Sequence, residues 1–323
     1  MSLENHPEKT ENITQAKQST RFQLHEHPWI SVVVLLVWIL VNALIGKIIF
    51  QLIAPIFHPG YPYHIAQSVF GYIWGFLGVL LVIPFLFRLP TGKTTFKKYI
   101  DTIRLSRVKP IARTVFLFAS CYGIFLGSQI LATMVYNSIF APAGGFSVVT
   151  YFTPAYIIQH LPPNNWSIFL ATGSGLFEEI LFRGVVLTMF LRKYSERQSI
   201  GISAIIFGCF HAMNFLNVIP PTYQSLIWVS GQIVWTSIVG VFYGYLFIRA
   251  NSLWPSITIH YLGNAFMNYW VFLPAAPVEI EVLLGITLVL GIVPTSIAIL
   301  WITLLHKQWF SKSIPSSLPT FVT

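Results

Sequence analysis

Charge is what this sequence has least of. Asp, Glu, Lys and Arg make up 9% of its 323 residues, against 55% hydrophobic residues. Soluble domains carry roughly a quarter charged residues. That deficit, with apolar runs long enough to cross a bilayer, excludes a soluble fold and points to a polytopic membrane protein. Cysteine is nearly absent too. Cys121 and Cys209 lie in separate apolar runs, which leaves no metal-type cysteine spacing and reads as two buried thiols rather than a disulfide. No internal repeat is visible. The first 28 residues are polar, and the apolar run behind them is too long for the core of a secretory signal, so no such signal is expected. The net charge of +9 does not imply a nucleic-acid partner, because its distribution follows a membrane rule instead.

What is present is a set of eight apolar segments, near 29–53, 65–87, 112–136, 167–191, 199–216, 226–248, 253–273 and 281–305. Each approaches the ~20 residues a helix needs to span a membrane. The expected fold is therefore all-α: a polytopic helical bundle of about eight transmembrane helices. Residues 1–28 and 311–323 read as polar tails flanking a membrane domain over 29–310. Basic residues mark one side. Arg88, Lys93, Lys97, Lys98, Arg104, Arg107, Lys109 and Arg113 follow the second span, Arg192, Lys193 and Arg197 the fourth, Arg249 the sixth, and Lys307 and Lys312 the last. The intervening loops have none, which sets both termini in the cytosol. Lys47 and Arg183 depart from the pattern. Lys47, near the outer end of the first span, reads as a side chain that snorkels to the interface. The loop over 141–166 is aromatic and uncharged on its side, and suits either the membrane interface or an ordinary packed outer loop.

The fourth span carries the anomaly. In "GLFEEILFRGVV", Glu178, Glu179 and Arg183 interrupt an apolar run. An acidic residue at mid-membrane costs ~2.5–3.5 kcal/mol, and an adjacent pair rarely serves packing alone. Glu179 and Arg183 stand four apart and share a helix face, so they can pair. Glu178 is turned ~100° from Glu179 and stays free to act. His211, His260 and Asn264 lie in later spans, the last two on one helix face. At 1.5 Å per residue, Glu178 lies ~20 Å from the cytosolic end, His211 ~18 Å, His260 ~10 Å and Asn264 ~16 Å. These depths let one water-filled pocket hold all four. A desolvated carboxylate with two imidazoles can activate water, with the amide and an imidazole stabilising an oxyanion. A zinc ion on Glu178, His211 and His260 is the alternative. There is no HExxH and no GxSxG, which excludes an ordinary zincin and disfavours a serine hydrolase at Ser174. Gly173 and Gly175, and the Gly240/Gly244 pair, suit close helix packing. Tyr243 and Tyr245 are candidate cavity residues, one of which is expected merely to pack.

These residues carry a resemblance. "EEILFRG" is similar to the EExxxR motif of the CPBP family, which comprises CAAX proteases and bacteriocin-processing proteins and is also called the Abi family. "FGCFH" resembles its FxxxH motif and "HYLGN" its HxxxN motif, in order, within a motif-bearing core over 165–273. The resemblance implies an intramembrane endopeptidase with a catalytic core of four helices. It assigns water activation to Glu178 and His211, oxyanion stabilisation to His260 and Asn264, and support to Glu179 and Arg183. A glutamate mechanism needs no cofactor, although the family is often labelled metalloprotease and zinc remains possible. The implied partners are membrane lipid and a peptide substrate, either a prenylated CAAX-type C-terminus or a bacteriocin-like precursor. The alternatives are a non-catalytic immunity or scaffold protein of the same fold, and a transporter using Glu178 as an ion site. Against transport stands the absence of the repeats such proteins often have.

Overall fold

The structure is a computed structural model, and it describes residues 22–56, 63–108, 110–140, 173, 175–217, 222–270, 283–285 and 287–305. The described chain is an all-α membrane bundle. Helix α1 is Pro28–Ile53, begun by a proline whose missing N–H costs nothing in the first turn. Helix α2 runs over Tyr63–Leu77 and continues through Gly78–Leu86 with π winding. The short α3 is Phe96–Thr102, α4 is Ile111–Phe140 and α5 covers 175–190. Helix α6, Glu196–Phe210, tightens into a 3-10 stretch over His211–Asn217. It is followed by α7, Tyr223–Ala250, by α8, Trp254–Trp270, and by α9 over 283–305. Ser195 with Gln198 and Thr222 with Ser225 form reciprocal capping boxes that start α6 and α7. Asn251, in the left-handed conformation at φ 50°, stops α7.

Six of these helices are long and apolar enough to cross a membrane: α1, the second half of α2, α4, α6 with its extension, α7 and α9. They correspond to six of the eight expected spans. The other two, 167–191 and 253–273, are also helical where described, as α5 and α8. The loop over 141–166, Ser174, and the tails before 22 and beyond 305 lie outside the described residues. Apolar side chains such as Val33, Val37, Leu81, Leu131 and Leu300 are about half exposed, as lipid-facing positions require. The interior is built around α7, which packs on α6, α8 and α9, while α4 closes against α8 and α9. One cysteine departs from expectation. Both thiols are free, but only Cys121 is buried; Cys209 faces outward from α6.

Small residues set the closest approaches. A Cβ at Gly240 would come within 3.1 Å of Ala204, so α7 and α6 touch at that level. At Gly175 it would meet the α8 backbone at Tyr261, 3.1 Å from the nitrogen. That contact seats the start of α5 against the middle of α8, and so brings Glu178 and Glu179 to His260.

The basic loops gather at one end of the bundle. Arg192 donates to the carbonyl of Pro90 at 3.0 Å, Arg107 donates to Asn251, and Arg249 pairs with Glu196. Trp29 donates from Nε1 to the Tyr194 hydroxyl at 2.9 Å and lies edge-on to Phe190. Arg104 lies over the Phe247 ring, and burial draws its guanidinium down to about 10. The fully buried Tyr99 of α3 donates to the carbonyl of Val79 at 2.8 Å. Five residues after Val79 is Pro84, which has no N–H to offer in the π-wound stretch. Tyr99 thus satisfies a carbonyl that the helix itself leaves short. Burial also pushes its phenol up, so it keeps its proton. Replacing Tyr99 with Phe should destabilise the protein by about 1–3 kcal/mol, read as a lower melting temperature in detergent. An unchanged melting temperature would show that Val79 has another partner.

Candidate active site

Glu178, His211, His260 and Asn264 all line one cavity of about 650 Å³. Its walls come from α1, α4, α5, α6, α7 and α8. The four residues that sequence depth suggested could meet are therefore brought together. A second cavity of about 460 Å³, between α1, α2, α5 and α6, is lined by aromatic rings such as Phe70, Trp74 and Phe177 together with Asn42 and Gln67, and also reaches Glu178.

Beneath the cavity lies an ion pair with no exposure to speak of. Arg183 Nη1 stands 2.9 Å from Glu179 Oε1, with the side chains 1% and 0% exposed. Arg183 also donates to the carbonyl of Gly240 at 3.4 Å, and its guanidinium lies over Phe207 at 4.2 Å and Tyr243 at 5.1 Å. The expected i,i+4 pairing is present, although the helix after Glu179 is π-wound over Ile180–Leu187. Widened turns of this kind disturb the carbonyl ladder. Ser203 of α6 donates to one of these carbonyls, that of Phe182, at 3.0 Å.

The sequence did not disclose that Glu179 also holds His260. His260 Nδ1 lies 2.8 Å from Glu179 Oε1. The carboxylate can only accept, so Nδ1 carries the proton and Nε2 is left for the cavity. Nε2 stands 3.7 Å from Glu178 Oε2, too far for a hydrogen bond. Tyr243 stacks on the His260 ring at 5.1 Å, 13° from parallel, and fixes its plane. Tyr243 lines the cavity, whereas Tyr245 bonds Thr303 and packs, as one of the two was expected to do.

His211 stands where α6 passes from α to 3-10 winding. Its Nδ1 is 3.0 Å from the carbonyl of Phe207, which again assigns the proton to Nδ1 and the free lone pair to Nε2. One turn on, Asn214 donates to Gln232 of α7 at 2.8 Å, and both face the cavity with Gln129. These amides went unread in the sequence. Their signal was the rarity of such groups in apolar spans.

Glu178 Oε2 is buried and has no hydrogen-bond partner among the described residues, as is also true of Glu179 Oε2; of the two acids only Glu178 lines the cavity. Among those residues, no three His, Cys, Asp or Glu are grouped closely enough to share a metal ion. Arg183→Ala should strand the fully buried Glu179 carboxylate at a cost of about 3–5 kcal/mol, seen as lost folded protein in the membrane fraction. Normal yield and melting would refute the pairing as a stabilising element.

Comparison with known proteins follows the motifs. Residues 161–266 match the model of the family described as type II CAAX prenyl endopeptidase Rce1-like. No curated protein and no solved structure matches the chain significantly. The matched segment contains the acidic pair with Arg183, the His211 motif and the pairing of His260 with Asn264. The motif-bearing segment of this chain is thus similar to the Rce1-like CAAX endopeptidases, in keeping with the intramembrane proteases its motifs resemble.

Proposed function

We propose that the protein is an intramembrane endopeptidase that hydrolyses a peptide bond near the C-terminus of a prenylated CAAX-type substrate, with Glu178 as the base. The observation that carries this reading is the buried, unpartnered carboxylate oxygen of Glu178, on the cavity wall 3.7 Å from the Nε2 of a histidine whose other nitrogen is already committed. A carboxylate with an oxygen free on the cavity wall is placed to act as a general base toward water.

In the proposed reaction, water bound between Glu178 and the His211 Nε2 gives its proton to the Glu178 carboxylate. The hydroxide attacks the carbonyl carbon of the scissile bond. The oxyanion is met by the Asn264 amide and by the Nε2 side of the His260 ring, in the form that carries a proton on each nitrogen. Glu178 then passes its proton to the departing nitrogen as the carbon–nitrogen bond breaks. Glu179, Arg183 and Tyr243 touch no reacting atom; they hold His260. Both termini lie on the cytosolic side in this reading, supported by the gathering of Arg104, Arg107, Arg192 and Arg249 at one end.

Purified protein with a farnesylated CAAX peptide tests the proposal. Glu178→Gln and His211→Ala should each lower kcat by about 10²–10⁴-fold without changing the melting temperature. Full activity in either variant would sink the mechanism. No cleavage by the folded wild type would instead favour a binding protein of the same fold.

A further inference from the structure

The cavity contains a cation that the proposed mechanism does not use. Lys47 of α1 lines both the larger cavity and the aromatic one, and with Glu178 is among the few residues common to the two. It makes no ion pair among the described residues. Arg183, the other cation away from the basic end, is consumed by Glu179. Lys47, an exposed side chain of α1, therefore borders the space where a substrate would lie, and an ionisable group within a membrane span is functional by default.

Its level in the bundle can be compared with that of Glu178. Trp29 of α1 and Phe190 of α5 are in edge contact, which fixes a common starting height. From there α1 rises 18 residues to Lys47, while α5 runs 12 residues to Glu178. At 1.5 Å per residue of α-helix, and with the π-wound part of α5 rising less, Lys47 lies roughly 10 Å farther from the basic end than Glu178. An extended peptide covers that distance in about three residues. The amides of Gln129, Asn214 and Gln232 face the same cavity and offer donors and acceptors to a peptide backbone.

We infer that Lys47 receives the free C-terminal carboxylate of the substrate, about three residues beyond the bond that Glu178 attacks. Resting on the endopeptidase reading, this makes Lys47 a specificity-determining residue. It selects a chain end over an internal peptide segment and sets how many residues are released. A charge-assisted contact is strong enough to do so, and a carboxylate arriving without it would stay unpaired.

The probe is a farnesylated peptide ending in Cys-Val-Ile-Ala, as the free acid and as its C-terminal amide. In the wild type, kcat/KM should favour the acid by at least about tenfold, and Lys47→Arg should keep that preference. Lys47→Met should lower the acid to the level of the amide and leave the amide unchanged. The same comparison is made by equilibrium binding to the Glu178→Gln protein, with and without Lys47→Met. Equal use of acid and amide by the wild type, an undiminished preference in Lys47→Met, or an equal fall for both peptides would each overturn the assignment. A binding preference that depends on Lys47, with no cleavage by the wild type, would uphold it while removing the endopeptidase reading.

Discussion

One desolvated carboxylate organises this site. Glu179 is fully buried, and a bare carboxylate in hydrocarbon would be untenable. Its charge is tolerable only because Arg183 and His260 both converge on the same oxygen. That convergence has structural consequences in three helices. Arg183 reaches across to the Gly240 carbonyl and lies beneath Phe207 and Tyr243. His260 is drawn from α8 into the plane of Tyr243. Remove the carboxylate and the guanidinium, the imidazole and the helix crossings lose their common anchor.

Much of this was legible in the sequence, because membranes penalise polar groups so heavily that the exceptions stand out. Glu178, His211, His260 and Asn264 were visible as costs that apolar packing could not explain, and helical rise alone put them within reach of one cavity. The division of labour between the two glutamates followed from helix geometry, and the Glu179–Arg183 pair is present. What stayed hidden depends on how helices cross. That His260 bonds Glu179 rather than Glu178 follows from the seating of Gly175 on the α8 backbone, and no spacing within one helix reveals it. Lys47 shows the same limit. Read along its own helix it is a snorkelling lysine, and only the bundle shows that it also borders the cavity. Cys209, grouped with Cys121 by its apolar neighbours, faces outward because hydropathy does not distinguish a lipid face from a packed one.

The two cavities share Glu178 and differ in what else they hold. The larger carries both histidines with the amides of Gln129, Asn214, Gln232 and Asn264, and the smaller has Asn42 and Gln67 among rings such as Phe70, Trp74 and Phe177. The carboxylate thus stands where two spaces meet, and among the described residues only one of them offers it imidazoles.

The π winding of Ile180–Leu187 begins at the residue after Glu179. Widened turns of this kind take up an extra residue without lengthening the helix by a full step. The acids before the stretch and the buried residues after it are therefore phased independently. Glu178 and Glu179 keep the orientation that Gly175 imposes, while Val185, Val186 and Phe190 keep the one the core imposes. In evolutionary terms, α5 can absorb changes in its packed half without rotating its chemical half, whereas loss of a single residue between them would force the two into one register.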